Sequence, residues 1–62
     1  MFTVEAHGTI VLVRPLTSDV RDWLEQNTRE DALWFGGALV VEPRYVDELV
    51  GGMIAEGGFA LQ

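Results

Sequence analysis

Phe2, Val4 and Ala6 alternate with polar residues, and Ile10 to Val13 then run continuously apolar. The period of two, together with Thr3, Thr9 and the β-branched Ile10, Val11 and Val13, predicts extended chain from Phe2 to Arg14. Gly8 interrupts it. Either His7-Gly8 is a tight hairpin turn or Gly8 is a bulge in one bent strand, and the hairpin is preferred. Pro15 and Pro43 each follow an apolar run and precede a helical pattern, so both read as punctuation.

After Pro15 the period changes to that of a helix. Thr17 or Ser18 suits an N-cap, and Asp19 and Asp22 suit the positive helix N-terminus. Val20, Trp23, Leu24 and Asn27 share one face, and Asp19, Asp22, Glu25 and Gln26 the other. Asn27 is the expected stop, and Thr28–Asp31 the polar connection that follows. A second strand pair is expected where Gly36-Gly37, a recognised two-residue turn, separates Leu33–Phe35 from Ala38–Val41. Pro43 then opens a second helix, where its missing N–H costs nothing. Tyr45, Val46, Leu49, Val50, Met53 and Ile54 form its apolar stripe, and Gly57-Gly58 ends it. Phe59–Leu61 has room for a short terminal strand. The expected architecture is an α+β fold: a small, mostly antiparallel sheet with two amphipathic helices packed on one face, in a single domain spanning 1–62.

Length and composition narrow the function. At 62 residues the chain makes one domain, and 48% hydrophobic residues argue against disorder. A chain this short buries only ~60% of its unfolded surface and is marginal by itself. Small proteins offset this with disulfides, a metal or a partner. There is no cysteine and a single histidine, His7, which leaves a partner. No cofactor is implied. Apolar runs such as Ile10–Val13 are too short to cross a membrane, and no signal peptide is apparent in residues 1–15, so the expected compartment is the cytoplasm.

Ten acidic residues against four arginines, with no lysine, give a net charge of −6. Such a chain repels nucleic acid and anionic membranes and is attracted to basic surfaces. Carboxylates at Asp19, Asp22 and Glu25, at Glu30 and Asp31, and at Asp47 and Glu48 fall three or four apart or in adjacent pairs. At helical spacing their side chains stand ~5–6 Å apart, comparable with successive phosphates of one nucleic-acid strand. The plainer reading is a set of solvated helix faces. Trp34 and Phe35 are neighbours in a strand, so one of the two rings faces away from the helices unless a loop or twist covers both. That ring is a candidate anchor for a partner.

Gly51 and Gly52 interrupt the second helix, at a cost of ~1 kcal/mol each relative to alanine. Either another backbone approaches there or the helix kinks or ends early. The run Gly51–Gly58 lacks the lysine, the hydroxyl residue and the spacing of a phosphate-binding loop. Ser18 is the only serine and is better explained by capping, and no carboxylate pair stands apart as an acid–base couple, so no enzyme is expected.

The stretch Trp34-Phe35-Gly36-Gly37-Ala38-Leu39-Val40-Val41-Glu42-Pro43-Arg44-Tyr45, with His7-Gly8-Thr9-Ile10 upstream, resembles small acidic proteins of bacterial and phage genomes over most of its length. In size and acidity the chain also resembles phage-encoded anti-CRISPR inhibitors, including those aimed at type I effector complexes. That resemblance implies a stoichiometric blocker acting in a bacterial host cell. Such a blocker binds a larger basic protein or ribonucleoprotein complex, in some cases as a DNA mimic. The alternative is a structural or regulatory module that self-associates through an exposed strand edge or the Gly51/Gly52 face, as a homodimer.

Overall fold

In the computed structural model, which describes residues 1–62, the first apolar run folds as two strands, β1 (Phe2–His7) and β2 (Ile10–Pro15). They pair antiparallel from Phe2↔Pro15 to His7↔Ile10. The turn is Gly8-Thr9, one residue later than His7-Gly8, because His7 closes the ladder opposite Ile10. Gly8 takes φ 63 at the first turn position, where a two-residue II′ hairpin needs it.

The second hairpin joins β3 (Trp34–Phe35) to β4 (Ala38–Val41) through Gly36 and Gly37, at φ 56 and 81. Two successive positive φ values are the I′ pattern, whose twist matches that of the strands. Leu33 lies just outside the β3 ladder, although its carbonyl still accepts the Val40 N–H at 2.9 Å. β4 pairs antiparallel with β2 from Val11↔Val41 to Val13↔Leu39, so the sheet order is β1-β2-β4-β3. The expected terminal strand is reduced to one parallel bridge, Phe2↔Leu61, held by bonds from Phe2 N–H to the Ala60 carbonyl and from Gln62 N–H to the Phe2 carbonyl.

Helix α1 (Ser18–Asn27) follows β2, and α2 (Pro43–Ala55) follows β4. Thr17 is the N-cap of α1 by position, but its hydroxyl bonds the Asp19 carboxylate instead of a helix N–H. At the other end the Asn27 amide donates to the Trp23 carbonyl at 2.8 Å and the Thr28 hydroxyl to the Leu24 carbonyl at 2.7 Å. Asn27 is therefore exposed, not part of the apolar face. Helix α2 runs through Gly51 and Gly52 without ending. Its core-facing stripe is Met53, buried, with Val46, Leu49 and Val50 partly buried beside it and Tyr45 and Ile54 half exposed at the margins. Beyond it Gly58 takes φ 68, and the Phe59 N–H reaches back to the Met53 carbonyl at 3.1 Å.

Both helices cover the same side of the sheet. Register and alternation put Phe2, Val4, Val13, Leu39, Val41 and Trp34 on that side. There Phe2, Val13, Leu39 and Val41 close a core with Val20 and Leu24 of α1 and Met53 of α2. The result is the expected α+β fold, four antiparallel strands backed by two helices. Neither helix is long and apolar enough to cross a membrane.

Candidate interaction groove

The helices meet the sheet without closing over each other. Between them lies an open depression of about 310 Å³, walled by Trp23 and Asn27 of α1 and by Tyr45, Glu48 and Gly52 of α2, with Glu56 at its end. It shares Asn27, Tyr45 and Leu49 with a wider hollow of about 510 Å³, which continues past Arg29 and Asp31 to Glu42, floored by Ala32, Leu39 and Leu49. Together they form one groove along the helical layer.

Each part has a local cause. Trp23 cannot be fully buried by two short helices. Its ring packs edge-on against Phe59, with centroids 6.2 Å apart at 86°, which fixes it in place. Gly52 leaves the other edge open: a Cβ there would stand 3.5 Å from the Trp23 ring, in ordinary contact, and would narrow the groove. Gly52 thus sits against Trp23 with room for a methyl group, whereas a Cβ on Gly51 would meet nothing within 4 Å. The polar connection 28–31 expected from sequence brings Arg29 and Asp31 to the far end.

The groove carries four carboxylates, Asp31, Glu42, Glu48 and Glu56, against Arg29. Glu42 pairs with Arg44 at 3.1 Å, and the Arg44 guanidinium lies 4.8 Å from the Tyr45 ring centroid. Asp31, Glu48 and Glu56 form no ion pair. An apolar floor, aromatic edges and a carboxylate rim suit the alkyl stem and cationic head of an arginine or lysine side chain.

The residues singled out in sequence fall into three groups. Asp31 and Glu48 line the groove. Asp19, Asp22, Glu25, Glu30 and Asp47 are exposed around it on the helices and their connection; Glu25 is paired with Arg21 at 3.3 Å, and the Asp19 carboxyl is held below its ordinary value chiefly by the Thr17 hydroxyl. Trp34 and Phe35 separate. Trp34 is half-buried on the helical side, with the Arg21 guanidinium 4.9 Å from its ring centroid, while Phe35 points out of the opposite face of the sheet. Glu56, which continues the acidic row of Asp47 and Glu48 in sequence, lines the groove as well, as do Trp23, Tyr45 and Glu42, which sequence pattern does not single out as site residues. The available signal is a tryptophan on one helix and a Gly-Gly on the other.

Three of the four arginines are taken up by Glu5, Glu25 and Glu42. The other seven carboxylates are without a basic partner, and all lie on the helices, at the C-terminal end of α2 (Glu56) or in the connection between α1 and β3. His7 bonds Glu5 at 3.4 Å on the outer sheet face, whereas Ser18 opens α1 on the other side, so the two do not share a site. Comparison with protein-family models, with curated proteins and with solved structures finds no match to this chain.

Proposed function

We propose that this protein is a non-catalytic binding module whose helical layer docks on a basic surface of a larger protein or ribonucleoprotein. The interhelical groove takes a lysine or arginine side chain of that surface, and nucleic acid is thereby kept off it. The observation that carries this reading is the groove itself, with unpaired Asp31, Glu48 and Glu56 around the apolar floor and aromatic edge of Leu39, Leu49 and Trp23. The surrounding Asp19, Asp22, Glu30 and Asp47 extend the negative field and speed the encounter, while contacts in the groove slow release. The resemblance to anti-CRISPR inhibitors makes a type I effector complex the first target class to test.

Glu48 and Glu56 are exposed, so reversing them leaves the core intact. The variant E48K/E56K should bind a hexa-arginine peptide ~10-fold or more weakly than the wild type, as expected for a loss of ~1.4 kcal/mol or more. Wild-type binding should also weaken steeply as salt rises. Unchanged affinity in the variant would contradict the reading.

A further inference from the structure

The groove is not uniform along its length. Tyr45 and Leu49 line both hollows and mark where they join. The two ends differ in charge. The narrow end holds Glu48 and Glu56 and no basic residue, so it is strongly negative. The wide end holds Asp31 and Glu42 but also Arg29, and Glu42 is paired with Arg44 at 3.1 Å. Two acids and two arginines there leave no net charge.

The surfaces of the two ends differ in the same sense. The wide end, about 510 Å³, is lined mainly by carbon, from Ala32, Leu39, Leu49 and Tyr45. The narrow end, about 310 Å³, is mainly polar, with the Trp23 ring across from Gly52. A ligand that offers charge alone leaves the apolar lining of the wide end exposed to solvent. An aliphatic group seated there removes that surface from water.

Resting on the groove reading, we propose that the ligand is a two-point peptide motif. An arginine or lysine enters the narrow end, and a large aliphatic side chain three residues away fills the wide end. The spacing follows from the helix. Gly52, between Glu48 and Glu56, marks the narrow end on α2, and Tyr45 marks the entry to the wide one. They are seven residues apart, which at ~1.5 Å per residue is ~10 Å. An extended chain of polyproline type rises ~3.1 Å per residue with about three residues per turn, so its side chains three apart stand ~9 Å apart on one side. The cation supplies attraction, and the aliphatic residue supplies selection among basic surfaces.

Titration calorimetry of the full chain with the peptide Arg-Pro-Pro-Leu-Pro-Pro-Arg tests the proposal. The prolines hold the extended form, and an arginine on each side of the leucine serves either chain direction. Replacing the leucine by glycine keeps the charge and should weaken binding ~10-fold. Replacing both arginines by glutamine should weaken it at least as much. In amide-shift maps the leucine-to-glycine change should alter signals at Ala32, Leu39 and Tyr45. The arginine-to-glutamine change should alter those at Gly52 and the Trp23 indole. Equal affinity for the leucine and glycine peptides, with both still shifting Gly52, would overturn the two-point motif and leave the cation groove standing. So would a leucine effect centred on Leu33 and Phe35. No shift at Gly52 from either arginine peptide would overturn both.

Discussion

Glu5 is the one carboxylate on the outer sheet face, and its environment differs from that of every other acid in the chain. Arg14 hydrogen-bonds it at 3.1 Å and His7 approaches at 3.4 Å, and these contacts, Arg14 first, hold its pKa below the ordinary 4.5. A carboxyl whose pKa is lower in the folded state stabilises the fold above its unfolded pKa. That contribution is lost as the pH falls from about 4.5 through the lower folded value. The wild type should therefore melt at a higher temperature than E5Q at about pH 6, and the gap should shrink toward about pH 3. Parallel melting temperatures across that range would show that the Arg14–Glu5 contact does not outlast solvent screening. None of this was legible in the sequence, because Glu5 and Arg14 are nine residues apart and meet only through the β1–β2 register.

The elements themselves were largely legible. Periods of two and of 3.6, the Gly-Gly turn and Pro43 at a helix start are local signals, and local signals placed both hairpins and both helices. The errors were of position and of face. Gly8-Thr9 forms the first turn because its strands close at His7↔Ile10, and that pairing is set by register and not by composition. Asn27, Tyr45 and Ile54 were assigned to apolar faces on angle alone, yet α1 and α2 touch the sheet over stripes narrower than that angle. The glycines in α2 and just after it are constrained very differently. A Cβ on Gly57 would stand 2.6 Å from the Phe59 ring and 2.8 Å from the Met53 carbonyl oxygen, whereas one on Gly51 meets nothing. G51A should raise stability by ~1 kcal/mol through helix propensity. G57A should lower it, because the Phe59 ring that steadies Trp23 must move. Thermal melts of the two variants measure both, and a stabilising G57A would mean that the chain end is not packed as described.

At the scale of the molecule, composition sets the sum of charges and leaves their arrangement open. The fold sorts them into an acidic helical layer with a groove and a neutral, apolar sheet face. The acids of α1 and α2 are exposed, as the pattern predicts, but the convergence of Asp31 and Glu48 with Trp23, Tyr45 and Glu56 depends on how two helices cross one sheet, which no local pattern encodes. Of Trp34 and Phe35, Phe35 is the ring that faces away from the helices, so it lies behind the acidic layer. The central claim is therefore about place: a basic partner enters between the helices. Amide and side-chain shift mapping of the full chain titrated with hexa-arginine tests it most directly. The account predicts shifts concentrated at the Trp23 indole, the Asn27 side-chain amide, Glu48 and Gly52, fading at high salt. Shifts spread evenly over Asp19, Asp22 and Asp47, or centred on Leu33 and Phe35, would contradict it.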